Sequence, residues 1–265
     1  MRRSNTRGAA ARKCIGAPGC RAPSAIIDGV PGELWTVHLG VVEYREAHDL
    51  QERLRAARQA GAIPDTLLLL EHPPVYTRGR RSEPGELGMG EDWYRGQGID
   101  IVDVDRGGKV TYHGPGQLVG YPIVAIDDVM EYVAQLERAI VAALDDEGIA
   151  ARGRSQEGIA WTGVWVEDRK LASIGLHVSQ GVAKHGFAVS VDNSLEPFGW
   201  IVPCGLPDVA MTSIAAESAG ARPFLPCFRK RMAWRFAEAH GARQRLVSRA
   251  RLEAALRDAP APALA

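Results

Sequence analysis

Arg106-Gly-Gly-Lys-Val-Thr-Tyr-His-Gly-Pro-Gly-Gln117 packs five backbone specialists, Gly107, Gly108, Gly114, Pro115 and Gly116, into twelve residues. Between them stands a short polar set: Arg106, Thr111, Tyr112, His113 and Gln117. Glycine lets a backbone pass close to a ligand or take positive φ, and proline stiffens a turn. Strand-like apolar sequence flanks the run on both sides, at 99–104 and 118–126. A plain connection between two strands needs less fixed geometry. The run therefore reads as a binding loop set into a sheet. The bland alternative is a glycine-rich hairpin, which a lone Gly-Gly pair would favour.

Outward from this run, the hydrophobic pattern predicts an α+β domain. Residues 34–39 alternate as a first strand. In 46–60, Ala47, Leu50, Leu54 and Ala57 share one helical face, and Gly61 ends it. The apolar run 66–70 reads as a buried strand leading into Glu71-His-Pro-Pro-Val-Tyr-Thr-Arg-Gly-Arg80, a loop stiffened by two prolines. Residues 82–98 are polar with five glycines and are expected to form a mobile loop over the site. Residues 128–147 form the best helix, with Asp128 and Glu131 as a capping box, a stripe of Val129, Val133, Leu136, Ile140 and Leu144, and Gly148 as the stop. A meander of strands follows at 159–166, 170–178 and 182–191, broken by the turns at 167–169 and 179–181. Two helices are expected at 225–240 and 248–256. Antiparallel strands with intervening helices point to a mixed, largely antiparallel sheet flanked by helices. There is no internal repeat.

At 265 residues the chain can bury a full core. Its 32 Lys and Arg balance 32 Asp and Glu, so nothing draws it broadly to nucleic acid or an anionic membrane. No apolar run approaches a membrane span. Four cysteines, Cys14, Cys20, Cys204 and Cys227, are too few and irregular for a disulfide framework or structural zinc. Residues 1–27 hold six Lys and Arg and no acid. That composition suits either a flexible bacterial extension, the preferred reading, or a transit peptide. The expected organisation is a flexible basic extension over 1–30, a catalytic domain over 31–257 and a loose tail over 258–265. The expected location is the cytoplasm, with mitochondria as the alternative if residues 1–30 are a transit peptide.

Cys204 lies between Pro203 and Gly205, a setting for a nucleophile on a tight turn. Most free cysteines are small buried hydrophobes, which is the reading for Cys227. Residues alone leave Cys204 balanced between the two. Lys170 reads by itself as a solvated turn residue, or else as the base and charge partner of a thiolate. His113 is a credible site residue, His72 either touches ligand or holds its loop, and His177 packs in the sheet. His38, His48, His185 and His240 show no constellation. Tyr112, Phe187 and Phe198 are either acyl-pocket walls or core. No HExxH, nucleophile elbow, Walker loop or GxGxxG is present.

Taken in order, these segments resemble the lipoate–protein ligase B family, the octanoyl-[acyl-carrier-protein]:protein octanoyltransferases. The likeness runs from about residue 35 to 217. It is carried by Glu71-His-Pro-Pro-Val-Tyr-Thr77, the signature at 106–117, Lys170-Leu-Ala-Ser-Ile-Gly175, Gly186-Phe-Ala188, Pro203-Cys-Gly205 and Met211-Thr-Ser-Ile214. The 34-residue spacing from Lys170 to Cys204 also fits. One departure is Ser190-Val191, where relatives often have Asn-Val. The resemblance implies the biotin and lipoate ligase fold, with Cys204 as nucleophile and Lys170 as its base. It implies substrate contacts from Arg106, Gly107, Gly108, Lys109, Val110, Thr111, Tyr112 and His113 in the signature. Further contacts are implied from Ser173, Ile174, Gly175, Gly186, Phe187 and Ala188. It implies no cofactor and no metal. The implied donor is octanoyl-acyl carrier protein. The implied acceptors are apo lipoyl domains of 2-oxoacid dehydrogenase complexes and the glycine cleavage H protein. An ATP-dependent lipoate or biotin ligase of the same fold is the alternative. A non-catalytic module is a weaker one, since it would need neither Lys170 nor Cys204.

Overall fold

The computed structural model describes residues 32–202, 209–218 and 223–258. The basic extension, Cys14, Cys20, the Pro203-Cys-Gly205 triplet and all of the tail after Asp258 lie outside the described residues.

The chain runs through β1 (Glu33–Val41), α1 (Tyr44–Gln59), β2 (Asp65–Glu71), β3 (Val75–Arg78), α2 (Glu91–Gly96), β4 (Asp100–Asp103), β5 (Thr111–His113) and β6 (Gln117–Ala125). It continues through α3 (Val129–Asp145), β7 (Arg152–Gly153), β8 (Gly163–Val166), β9 (Arg169–Ser179) and β10 (Val182–Ser190). The last elements are α4 (Ile214–Glu217), α5 (Leu225–Ala239), β11 (Arg243–Leu246) and α6 (Arg249–Asp258). Eight strands form one sheet in the order β11-β1-β2-β6-β10-β9-β8-β7. β1 pairs in parallel with β11 and β2, and the remaining pairs are antiparallel. A small second sheet, β4-β3-β5, stands beside it.

Helices cover both faces of the large sheet, which explains the unbroken apolar run of β2. Leu67 and Leu69 point to one core with Leu136 and Ile140 of α3 and Phe228 and Phe236 of α5. Leu68 and Leu70 point to the other core with Leu50 and Leu54 of α1 and Leu252 of α6. Full burial of each such side chain stabilises the fold by roughly 1.5–3 kcal/mol. The Asp128 side chain accepts from the Glu131 N–H at 2.8 Å and caps α3.

Two expectations change. The strand expected at 159–166 begins only at Gly163, because a 3₁₀ turn, Ile159–Trp161, lies between Gly158 and Gly163, both with positive φ. The glycine-rich loop at 82–98 contains α2, whose Tyr94 is fully buried and donates its hydroxyl hydrogen to Trp200 O at 2.7 Å. Tyr94 packs with Tyr76, Tyr112 and Phe198 in a third, aromatic core beside the small sheet.

Candidate active site

The signature loop leaves β4, lies against β9 and enters β6 by way of β5. It is tied down at every step. Arg106 is buried, and its Nη2 donates to Thr77 O and to Thr77 Oγ1, both at 2.7 Å. The Gly107 N–H donates to Leu176 O of β9 at 2.8 Å. This brings two backbones so close that a Cβ on Gly175 would stand 2.9 Å from Gly107 O. Gly175 is thus required for the loop to lie on the strand.

Between loop and strands is a cleft of about 460 Å³ with open solvent counted. Arg106, Lys109, Thr111 and His113 line it from the signature. Ser173, Ile174 and Gly175 line it from β9, and Gly186, Phe187 and Ala188 from β10. Four other signature residues stay outside the lining. Gly107 and Gly108 shape the loop, and Val110 is buried with its N–H donated to Glu86 Oε2 at 3.2 Å. Tyr112 packs in the aromatic core, its ring 5.5 Å from both Tyr76 and Phe198.

Four lining residues escaped the sequence reading: Tyr44, Val119, Tyr121 and His185. Tyr44 and Tyr121 pack against His72, with ring centres 5.0 and 5.8 Å from it, and His185 packs against Tyr121 at 6.4 Å. The His72 Nδ1–H donates to Val42 O at 2.7 Å, because a carbonyl can only accept. Its Nε2 therefore accepts the Tyr121 hydroxyl hydrogen at 2.7 Å. His72 holds its loop and does not line the cleft. Burial pushes His72 down to about 4 and His113 to about 3, so both are neutral near pH 7. Burial pushes the Tyr44 hydroxyl up to about 12.

His185 is neutral for the same reason, with burial pushing it to about 4. Its Nε2–H donates to Asp105 Oδ1 at 2.8 Å. Asp105 also pairs with Lys184 Nζ at 2.8 Å, and His48 Nε2 stands 3.7 Å away. Among the described residues, donor atoms of His48, Asp105 and His185 gather as metal ligands would. Lys184 already supplies the positive charge there.

A second cleft adjoins the first and shares Lys109 and Ile174 with it. It measures about 1,020 Å³ with open solvent counted, and Lys170 lines it together with Arg81, Glu83 and Thr162. Lys170 is only 2 % exposed. Its side chain passes over Gly163, where an added Cβ would meet Lys170 Cε at 2.8 Å, and its Nζ sits 5.2 Å from the Trp165 ring centre. Gly163 is held there by Glu137 Oε1, which accepts its N–H at 2.9 Å. The Lys170 backbone bridges Met211, just beyond residues 203–208. On the near side of that stretch, the Val202 N–H donates to Glu86 O at 3.3 Å.

The sequence model described as the lipoyl protein ligase A/B catalytic domain matches residues 43–236. The chain belongs to that family. An octanoyltransferase of Dictyoglomus thermophilum is 44 % identical over 189 residues, covering 71 % of this chain and 80 % of the relative. One from Mycobacterium avium is 48 % identical over 191 residues, covering 68 % and 76 %. Among solved structures, a lipoate-protein ligase A bound with ATP matches with a TM-score of 0.63 at 14 % identity, over 86 % of this chain and 93 % of that one. A bipartite lipoate protein ligase from Thermoplasma acidophilum matches with a TM-score of 0.62 at 16 % identity, over 86 % and 91 %. These structural likenesses establish a shared fold. Among the described residues, no helix is long and apolar enough to cross a membrane.

Proposed function

We propose that this chain is an octanoyltransferase of protein lipoylation. It takes an octanoyl group from octanoyl-acyl carrier protein onto Cys204 and passes it to a lysine of an apo lipoyl domain. The observation that carries this reading is the position of Lys170. It is buried at a cleft that shares Lys109 and Ile174 with the signature-lined cavity, and its backbone bridges the chain just after Cys204. The octanoyltransferases at 44 % and 48 % identity support the same reaction.

In the first step Cys204 gives its proton to Lys170 and attacks the thioester carbonyl. The carrier thiolate leaves and takes a proton back from Lys170. One thioester replaces another, with little change in free energy. In the second step the acceptor amine attacks the Cys204 thioester, Lys170 takes the amine proton, and the Cys204 thiolate leaves as an amide forms. Amide formation from a thioester is downhill, so no nucleotide is consumed. The tail lies in the smaller cavity, where burial contributes about 5 kcal/mol at roughly 0.8 per methylene. Ser173, Ile174, Gly175, Gly186, Phe187 and Ala188 form its strand-side wall. The catalytic unit spans 31–257 and works in the cytoplasm. Lipoyl domains of 2-oxoacid dehydrogenase complexes and the glycine cleavage H protein are its acceptors.

The test is transfer from octanoyl-acyl carrier protein to an apo lipoyl domain with no nucleotide present, read by intact mass. Octanoylated domain is expected. Product only with ATP and free octanoate would assign the chain to the adenylate-forming ligases instead.

A further inference from the structure

The acyl cavity changes character along its length. Where it meets the Lys170 cleft, its walls are Lys109 and Ile174. β9 pairs Gly175 with Gly186 and Leu176 with His185, and β10 in turn pairs Phe187 with Gly120 of β6. Gly175 stands five residues along β9 from Lys170, roughly 16 Å at about 3.3 Å each. Tyr121 lies two strands further across the sheet, roughly 10 Å more at about 4.8 Å each. A tail that enters beside Lys109 and Ile174 therefore runs toward Tyr121, Tyr44 and His185.

That far end is polar and tightly fixed. Tyr121 is committed as a donor to His72. Because Asp105 takes the Nε2 hydrogen of His185, its Nδ1 is an acceptor. That atom is buried and has no partner among the described residues. His185 also holds φ at +59°, in the left-handed region, where its backbone N–H donates to Gln51 Oε1 at 2.8 Å. A strained residue kept by several anchors is a common mark of a functional position. A hydrocarbon-binding cavity has no need of such an end to hold a methyl group.

We propose that this polar end is the chain-length ruler of the transferase. Tails of about eight carbons fill the apolar stretch of Val119, Ile174, Phe187 and Ala188. Longer tails must press methylenes against Tyr44, Tyr121 and His185, and are rejected. In a dry apolar pocket each added methylene would strengthen binding roughly four-fold. Tyr44, Tyr121 and His185 are already buried, so the same methylene displaces no water there and must instead push apart hydrogen-bonded groups. The ruler rests on the transferase reading above.

The test is a competition among hexanoyl, octanoyl and dodecanoyl acyl-carrier thioesters, with products separated by mass on the lipoyl domain. Wild-type protein should favour octanoyl over dodecanoyl by at least about 100-fold, against the gain expected from added methylenes. The double variant Tyr44→Phe, Tyr121→Phe keeps both rings and loses both hydroxyls. It should narrow that ratio by at least about ten-fold. Val119→Thr, close to isosteric, places a hydroxyl inside the apolar stretch and should lower the octanoyl-to-hexanoyl ratio by at least about three-fold. Unchanged ratios in variants that keep the wild-type melting temperature would overturn the ruler and leave cavity volume as the limit. If the double variant melts early, Tyr44→Phe alone carries the octanoyl-to-dodecanoyl comparison, with a narrowing of at least about three-fold expected. A wild-type protein that transfers from no thioester would instead defeat the transferase reading itself.

Discussion

Lys170 and Met211 form a parallel bridge: the Lys170 N–H donates to Ala210 O at 2.9 Å, and the Thr212 N–H donates to Lys170 O at 2.9 Å. Side chain and backbone of one residue thus serve two purposes. The backbone fastens the chain that follows Cys204 to β9, while Nζ lies in the cleft beside Trp165. A base held this way needs no reorganisation before it acts.

Gly163→Ala should uncouple the lysine from this arrangement. The glycine has φ of +134°, and a Cβ would stand 2.4 Å from Ala172 O and 2.8 Å from Lys170 Cε. The strain should cost about 2 kcal/mol in urea denaturation. Displacing the base should slow transfer by at least about 100-fold. An alanine variant with wild-type turnover would show that the lysine tolerates another path.

Glu137→Ala should destabilise the fold by about 3 kcal/mol. This buried carboxylate accepts from the Ser155 N–H at 3.0 Å, the Ser155 hydroxyl at 2.6 Å and the Gly163 N–H at 2.9 Å. Its removal strands buried donors and releases the loop that carries Gly163 toward Lys170. Chemical denaturation measures the loss, and a change under about 0.5 kcal/mol would contradict the anchoring role.

Stability should fall as pH drops from about 6.5 to about 4. Burial holds His72 and His185 to about 4 and His113 to about 3 in the folded state, against an ordinary 6.5. Through that window the unfolded chain binds protons that the folded chain refuses. Each histidine then removes up to about 1.4 kcal/mol per pH unit. Above pH 7 all three are neutral in both states and add no slope. The shifted carboxylates do not produce this slope. Asp105 and Asp103 are held below the ordinary carboxylate range, so their contributions persist until the pH falls below about 4. Urea midpoints that stay flat between pH 7 and 5 would mean the imidazoles are hydrated.

Much of this was legible in residues and some was not, for physical reasons. α3 announces itself because a capping aspartate, a 3.6-residue stripe and a stop glycine all agree. The β9–β10 hairpin is equally plain, as are the glycines that let the signature lie on β9. β11 is fully exposed and shows no alternation, and it is a strand only because Arg243 and its neighbours pair with β1. His185 and Asp105 are 80 residues apart, and no local pattern marks their contact. Nothing local singles out Tyr44 or Tyr121 either, since only the packing of α1 on β6 brings them together. The signal nearest to hand was His185 itself, directly before the Gly186-Phe-Ala188 triplet.

The central claim is a covalent octanoyl-enzyme on Cys204. Wild-type protein incubated with octanoyl-acyl carrier protein, without acceptor, should gain one octanoyl group. Peptide mapping should place it on Cys204, and hydroxylamine should release it as thioesters require. Cys204→Ala should neither acquire the group nor transfer it, whereas Cys227→Ala should do both. Lys170→Ala should fold and acylate slowly, with part of the deficit recovered at higher pH as the thiol ionises unaided. Transfer by Cys204→Ala at the wild-type rate would contradict the account, because the acyl group would then reach the acceptor without passing through the cysteine.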